Sequence, residues 1–438
     1  MRSALARVLL LAVVCGAPVA RAQSGAWGRF SLFLSGGQYR PEGGDSYTTN
    51  EAIATLTVRS AEAEANGLEY AFDGRGSTYG VEGADRRNRF SLWDAWFGGR
   101  FANGTVGVRV GQMWLNDLGG LGSVGGALVE VRGKAKKGKK KLMPRFGVFA
   151  GAEPEGWEAG WVSGVKKGGA YVALDGEGAQ RHVLGFVTVR NSGMTERSVL
   201  TTTNFLPEGR TLFFYVAGEW DLARPGGVGD TGLSYALVNA RWAVSSRVEL
   251  QGLYHRGRSY DARTLTQDQL DGRPIDPRLA EGFLYESLGG RVTVQVAKGV
   301  SLYAGYASDR GSREEGSTGR ITAGLHAANV FRSGIDVSVS DNRIDQPDGS
   351  NYDAWYASIG RSFGGRVYVS LDYSSALSVL HFTGSDGIRV ETRPKTDRFS
   401  LNGNVNLGRS VSLLLLLERS DGDLSTDTRG SLGFAVRF

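Results

Sequence analysis

The chain has 438 residues, with 51 Lys and Arg against 45 Asp and Glu, which gives a formal net charge of +6. It contains 65 glycines, 10 prolines and a single cysteine, Cys15. This nearly balanced charge argues against a nucleic-acid partner, and one cysteine excludes a disulfide framework or a cysteine-ligated metal site within the chain. No run approaches the roughly 18 consecutive apolar residues of a transmembrane helix.

The first residues have the pattern of a secretory signal peptide. Arg2 and Arg7 precede the apolar run 8–14, and an A-x-A site ends at Ala22. This pattern predicts cleavage after Ala22. A lipid anchor on Cys15 is the less favoured alternative, because a valine stands where a lipoprotein signal needs a small residue. We therefore expect residues 1–22 to be removed.

The mature region 23–438 is predicted to be one domain built from strands. Apolar and polar residues alternate in runs of about ten to thirteen residues from Trp27 onward, separated by Gly, Asn, Asp and Ser. Residues 191–209 hold either one more pair of strands or a single long connector. In the first half, strands are expected at residues 27–38, 51–61, 66–76, 88–100, 104–114, 124–133, 144–152, 157–166, 169–175 and 181–190.

The second half shows the same alternation more clearly, and its connectors alternate between short and long. Short turns on one side and longer loops on the other are typical of a transmembrane barrel. The expected strands are residues 210–221, 231–243, 247–258, 282–297, 300–309, 318–330, 335–342, 351–363, 366–376, 396–407, 411–419 and 428–438.

The stretch SLGFAVRF, which ends at Phe438, is itself an alternating strand. Leu432, Phe434 and Val436 lie with Phe438 on one face, and such a strand would fray unless both of its edges were paired. A closed barrel pairs every edge. The predicted fold is therefore all-β: a transmembrane antiparallel barrel of about 22 strands, in a range of 18–24, with short periplasmic turns and longer external loops.

Over its mature length the chain resembles the Gram-negative outer-membrane β-barrels of the porin type. The resemblance implies an outer-membrane location, with membrane lipid and lipopolysaccharide around the wall. It also implies that Leu432, Phe434, Val436 and Phe438 act as the assembly signal that the barrel-assembly machinery recognises. The stretch VRVGQMWL departs from a common porin motif, so no functional residue is carried over from it.

Three patterns that signal chemistry in other proteins are better explained here without it. The G-x-S-x-G match at Gly360–Gly364 runs into a strand, so we expect a hairpin turn. The G-x-G-x-x-G match at Gly120–Gly125 lacks a following helix, so we expect a flexible external loop. No catalytic, metal or cofactor site is predicted, because the histidines show no ligand spacing: His182, His255, His326 and His381.

Two further segments are assigned to connectors. Lys134–Lys141 contains six lysines in eight residues, which favours a solvated turn over an anion-binding patch. Residues 259–281 carry four aspartates and two prolines without the spacing of a calcium loop, which favours a polar external loop. If this second segment folds inward, it narrows the lumen and is the place to look for gating.

The polar faces of the strands supply the candidate lining of the lumen. They mix both charges with neutral amides, which predicts a water-filled passage with weak charge selectivity. The candidate lining residues are Arg109, Glu249, Gln251, His255, Arg291, Gln295, Asp336, Asp372, Asn402, Asn404, Asn406 and Arg437.

The predicted function is a porin-like channel for passive diffusion of small hydrophilic solutes, with no enzymatic activity and no nucleic-acid partner. The alternative is a non-transporting barrel that acts as a scaffold or sheath for a partner, such as an electron-conduit cytochrome, or as a surface adhesin. An energy-coupled receptor is disfavoured, because strands begin by Trp27 and leave no room for a plug domain. Homo-oligomerisation stays open, since Leu413–Leu417 fits either a subunit interface or a lipid-facing wall.

Overall fold

A computed structural model describes residues 25–63, 65–133, 142–156, 158–208, 211–225, 231–383 and 389–438. The predicted signal peptide 1–22 and the lysine run Lys134–Lys141 lie outside the described residues. Their interpretation therefore stays a prediction.

The described residues form 23 strands and a small amount of helix. The strands are β1 (Trp27–Pro41), β2 (Tyr47–Arg59), β3 (Gly67–Val81), β4 (Arg87–Phe101), β5 (Val106–Trp114), β6 (Ser123–Arg132), β7 (Met143–Pro154), β8 (Trp161–Asp175), β9 (Arg181–Asn191), β10 (Met194–Glu208), β11 (Leu212–Ala223), β12 (Gly232–Ala243), β13 (Val248–Ser259), β14 (Phe283–Ala297), β15 (Val300–Gly311), β16 (Thr318–Val330), β17 (Ile335–Asp345), β18 (Asn351–Phe363), β19 (Val367–Thr383), β20 (Arg389–Thr392), β21 (Lys395–Asn406), β22 (Val411–Gly422) and β23 (Ser425–Arg437). The helices are α1 (Ala262–Leu270) and α2 (Pro277–Glu281), and the 3-10 segments are Asn116–Leu121 and Glu177–Ala179.

The strands close into a single antiparallel barrel. Each wall strand pairs with its neighbour in the chain, β19 pairs directly with β21, and β1 pairs with β23. The four-residue β20 pairs only with the end of β19, in a hairpin beyond the wall. The wall therefore has 22 strands, and the predicted fold class and strand count are confirmed. Among the described residues, no helix has the length and apolar character needed to cross a bilayer.

Pairing of the first and last strands completes the wall. In the β1–β23 ladder, Phe30 lies opposite Val436 and Leu32 lies opposite Phe434. The backbone N–H of Gly28 donates to the carbonyl of Phe438 at 2.7 Å, and the N–H of Phe438 donates back at 3.0 Å. The predicted pairing of this apolar terminal strand on both edges is thus present, since β22 occupies its other side.

The two faces of the wall differ in polarity. Contacts between non-adjacent strands identify the inner, concave face, as where Tyr171 of β8 donates to Glu130 of β6 at 2.6 Å. The opposite face carries large, exposed apolar side chains, which is typical of a surface that meets lipid. Examples of exposed outer side chains are Leu68 (53%), Phe97 (59%), Val110 (59%), Leu184 (54%), Leu288 (63%), Tyr306 (57%) and Leu371 (53%).

Two expected strand boundaries in the first half are wrong. Residues 157–166 and 169–175 were expected to be separate strands, but β8 runs through both as Trp161–Asp175. Gly168 and Gly169 do not turn, because both sit in register between β7 and β9. In the range 191–209, expected to hold a pair of strands or a connector, residues 194–208 form the single strand β10. The two differences cancel, so the predicted total of 22 strands equals the observed total.

The connector lengths follow the prediction in the second half only. From β12 to β22, short turns lie at the barrel end that contains Trp27 and Phe438, here called the terminus end, and longer connections lie at the opposite end. The longer connection expected between residues 419 and 428 is wrong, because β22 and β23 extend toward each other and only residues 423–424 separate them. A turn is present at the terminus end between β18 and β19, but only Gly364 of the match Gly360–Gly364 lies in it, because β18 continues to Phe363. In the first half, the connections at the two ends are of comparable length.

The tight closure predicts that Gly28→Ala destabilises the barrel. A Cβ at Gly28 would lie 2.2 Å from the ring of Phe438, so the ring must move from its place at the seam. We expect a loss of about 1–3 kcal/mol in the free energy of unfolding, measured by urea titration of the barrel in lipid vesicles. Gly36→Ala on the same strand is the control, because its Cβ finds only an ordinary contact at 3.8 Å. Equal stability of the two variants would contradict this account of the seam.

Candidate functional site

The connection between β5 and β6 folds into the barrel and fills part of the lumen. This inner loop, residues 115–122, contains the 3-10 segment Asn116–Leu121, which packs against β9 and β10. Leu118 at its centre is fully buried. The external loop expected at Gly120–Gly125 is therefore wrong, because these residues belong to the inner loop and to the start of β6. The apolar cluster around Leu118 contains Met113, Leu115, Val124, Leu128, Phe149, Tyr171, Ala173, Val183 and Val187.

A buried arginine anchors the inner loop to the wall. Arg145 of β7 donates to Asp117 of the inner loop at 2.6 Å, to Glu130 of β6 at 2.9 Å and to Asp175 of β8 at 2.8 Å. Arg181 of β9 donates to the second oxygen of Asp117 at 3.1 Å. Burial strengthens each of these pairs but also makes any unpaired member costly. The loop is therefore held in the lumen by charge as well as by apolar packing.

A second charged group continues this network toward β3 and β4. Arg100, which is 1% exposed, donates to Glu69 at 2.7 Å and to Glu62 of the β2–β3 connection at 2.7 Å. Arg109 of β5 also reaches Glu69, at 3.0 Å, and its guanidinium lies 4.6 Å from the centre of the Trp96 ring. Paired charges thus cover the inner face of β3–β9 near the terminus end.

Helix α1 covers the same sector from the opposite end of the barrel. Arg263 of α1 donates to Glu153 of β7 at 2.6 Å and to Glu196 of β10 at 2.8 Å. Lys167 of β8 lies 3.5 Å from Glu153 and is itself 4% exposed. Leu265, on the same helix, is 2% exposed. The segment 259–281 thus folds inward, and the favoured prediction of a polar external loop is wrong.

Two residues at the start of α1 fix its position. Burial raises the pKa of Tyr260 to about 12, so this phenol stays protonated at neutral pH and donates to Asp221 at 3.3 Å. The N-cap residue Asp261 accepts from the hydroxyl and the N–H of Thr264 at 2.6 and 3.0 Å, and these bonds lower its pKa. The cap therefore stabilises α1 above the ordinary pKa of an aspartate, and that stabilisation is lost as the pH falls through the lowered value.

The remaining part of the interior is open. Inner-facing side chains on β6–β10 are buried, as for Glu130 at 3% and Val187 at 1% exposure. On β13 and β14, by contrast, the inner-facing Gln251, Arg291 and Gln295 are exposed. The lumen is therefore eccentric: one sector is packed, and the wall from β13 to β23 borders free space.

The register places all twelve candidate lining residues on the inner face, although their contact with a solute stays a prediction. Arg109 belongs to the packed sector. On the open side, the ring of His255 lies 5.7 Å from Tyr235 and 5.8 Å from Tyr285, and the guanidinium of Arg291 lies 3.7 Å from the ring centre of Tyr303. The inner-facing positions follow from the pairs Arg109–Leu128, Glu249–Thr293, Gln251–Arg291, His255–Ser287, Gln295–Ser301, Asp336–Gly360, Asp372–Ser400, Asn402–Leu416, Asn404–Leu414, Asn406–Ser412 and Arg29–Arg437.

The sequence reasoning missed most of the buried ion pairs. Glu69, Glu130 and Arg145 each occupy a polar position in an alternating strand, and this parity is the signal that could have found them. Asp117 and Arg263 carry no such signal, because both lie in connections. Their partners are distant in the chain, 110 residues in the case of Arg263 and Glu153.

No protein-family model matches the chain, and no curated protein is similar to it in sequence. Several solved structures match over most of its length. OpdQ of Pseudomonas aeruginosa is 8% identical, with 95% of this chain and 99% of that chain covered, at a TM-score of 0.42. OccAB4 of Acinetobacter baumannii is 9% identical, covering 95% and 99%, at 0.44. The translocation pore of the P pilus usher, PapC, is 13% identical, covering 93% and 99%, at 0.47. At these identities and TM-scores, the matches identify no function.

The buried network predicts that Arg145→Met is strongly destabilising. The substitution removes the cation that Asp117, Glu130 and Asp175 share, and removing one member of a buried ion pair costs about 3–5 kcal/mol. Arg181 still pairs with Asp117 and Asp175, and Arg132 with Glu130, so we expect the lower part of this range. Urea unfolding in lipid vesicles, followed by tryptophan fluorescence, measures the change. Arg343→Met is the control, because Arg343 pairs with Asp345 on the exposed surface. An unfolding midpoint equal to that of this control would show that Arg145 does not hold the inner loop.

Proposed function

We propose that the chain forms an outer-membrane channel through which small hydrophilic solutes diffuse passively. The observation that carries the proposal is the eccentric lumen. Polar side chains such as Gln251 and Arg291 face free space along the open wall, while the inner loop and α1 fill the opposite sector. A polar, partly narrowed passage through a closed wall is the arrangement that limits solutes by size and charge.

The outer surface supports a membrane location for this channel. Its exposed apolar side chains would contact lipid, and the wall strands, 9 residues in β5 to 17 in β19, are long enough to cross a bilayer. We place the barrel in the membrane so that the terminus end faces the periplasm. Leu432, Phe434, Val436 and Phe438 would then serve as the signal for the barrel-assembly machinery, and the longer connections would meet lipopolysaccharide.

The packed sector disfavours a sheath around a protein partner. A sheath needs a lumen that is empty across its width, whereas Leu118 of the inner loop and Arg263 of α1 occupy one side of this one. A surface adhesin is compatible with the wall but leaves the polar inner face without a role. We therefore keep the passive channel as the proposed function.

Single-channel recording tests the proposal directly. The folded barrel is inserted into a planar bilayer, and a salt gradient measures ion preference. We expect reproducible conductance steps with weak charge selectivity, because the open wall carries both charges and neutral amides. A heat-modifiable, correctly folded barrel that never conducts would overturn the channel and leave a non-transporting barrel as the better account.

Removing the anchor of α1 should widen the passage. In Arg263→Ala, Glu153 and Glu196 lose the cation that ties the helix to the wall, so α1 leaves its place and the mean conductance and current noise rise. Arg278→Ala is the matched control, since it removes a cation from the same connection and none of the ion pairs in the described residues includes Arg278. Equal conductance in both variants would contradict a role for α1 in narrowing the lumen.

A further inference from the structure

Two leucines on β22 break the polar pattern of the inner face. Leu413 and Leu415 lie opposite Phe434 and Leu432 on the outer face, but Leu414 and Leu416 point inward, opposite Gly433 and Ser431. Leu414 is 44% exposed. The run Leu413–Leu417 is therefore neither a uniform lipid-facing wall nor a uniform subunit interface. Exposed apolar side chains that lie together on a polar surface are typical of a contact surface.

These leucines form one side of a small niche in the open wall. A third inner-facing apolar residue, Phe33 of β1, lies on the other side of Gly433: a Cβ built on Gly433 would be 3.1 Å from Leu414 and 3.6 Å from Phe33. Because even one Cβ at Gly433 would be in tight contact, the glycine lets the side chains of Leu414 and Phe33 approach each other. The niche has a volume of about 240 Å³ and is lined by Phe33, Tyr368, Asn402, Gly403, Asn404, Leu414, Leu415, Leu416 and Ser431.

The polar edge of the niche offers acceptors. The side-chain Oδ1 of Asn404 is buried and has no hydrogen-bond partner. Asn402 donates to the neighbouring carboxylate of Asp372, which also accepts from the hydroxyls of Tyr356 at 2.9 Å, Ser358, Ser400 at 3.3 Å and Ser370 at 3.4 Å.

The charge at this edge is negative. Among the described residues, no Lys, Arg or His forms an ion pair with Asp372, although 31 ion pairs are present elsewhere in that part of the chain. The edge thus carries a carboxylate that accepts hydrogen bonds but forms no ion pair in the described residues, beside an unused acceptor. A solute that donates hydrogen bonds and carries a positive charge satisfies both, whereas an anion satisfies neither.

From this geometry we propose that the niche binds primary alkylammonium solutes. The short alkyl chain packs on Phe33, Leu414 and Leu416, and the ammonium donates to Asn404 at the edge where Asp372 supplies the opposite charge. The niche is then a subsite on the solute path, and in this sense the inference builds on the proposed channel. It adds a preference for small amphipathic cations that the mixed charges of the whole lumen do not give.

Equilibrium binding to the folded barrel tests the subsite without requiring conduction. Isothermal titration calorimetry compares n-butylammonium, 1-butanol and butyrate, which each contain four carbon atoms and differ in head-group charge. We expect binding in the order n-butylammonium, then 1-butanol, with butyrate weakest. Asp372→Asn removes the charge at constant shape and should abolish the advantage of n-butylammonium over 1-butanol.

The apolar half of the niche has a matched control on the same strand. Leu414→Ala should weaken n-butylammonium binding by at least about fivefold, because the alkyl chain loses its contact surface. Leu417→Ala removes the same side chain from the outer face and should leave binding unchanged. Equal binding by both variants, or butyrate binding as tight as that of n-butylammonium, would overturn the subsite.

Recording separates this inference from the proposed channel. A barrel that binds n-butylammonium but never conducts would retain the subsite and overturn only the channel. A barrel that conducts but shows no preference for n-butylammonium would retain the channel and overturn only the subsite. If both hold, millimolar n-butylammonium should block the current of the wild-type channel more strongly than that of Leu414→Ala.

Discussion

The pairing of β1 with β23 is the constraint on which the rest of the structure depends. A strand edge exposes a row of N–H and C=O groups, and only closure of the sheet removes every edge. Here the seam continues to the last residue, where Gly28 and Phe438 exchange two backbone hydrogen bonds. Because the wall satisfies its own backbone, its outer side chains are free to be apolar and its inner side chains are free to be polar.

A closed wall of 22 strands encloses more space than its own side chains fill, and the chain occupies that space unevenly. The inner loop supplies an apolar cluster around Leu118, and α1 adds a second layer through Arg263. Their docking depends on carboxylates and guanidinium groups removed from water, which are favourable only when every member is paired. Such pairs fix one arrangement of the loops more strictly than apolar contacts would, because a shifted loop leaves a buried charge unpaired.

On the open wall, inner-facing side chains remain in contact with water and need no partner within the protein. This inner face stays hydrated, so single residues there are selected for what they offer to a solute and not for packing. Leu414 and Leu416 depart from the polar pattern that the neighbouring inner-facing residues Asn402 and Asn404 follow. Local departures of this kind are expected at functional positions, where the pattern that specifies the fold yields to the chemistry of binding.

The sequence by itself determined the wall. Alternation with a period of two is set by the geometry of each strand, so the all-β class and the face of each candidate lining residue could be read locally. The number of strands agreed only because two wrong expectations cancelled. The sequence pattern was misleading at residues 157–175, where Gly168 and Gly169 look like a turn but are held in the ladder by β7 and β9.

The tertiary structure alone decided the contents of the lumen. Neither the inner loop nor α1 has a sequence pattern that identifies its partners, and the position of α1 depends on residues such as Glu153 that lie far away along the chain. Side-chain periodicity indicates which face of the wall a residue occupies. It does not indicate which inner-facing residues will contact the inner loop or α1.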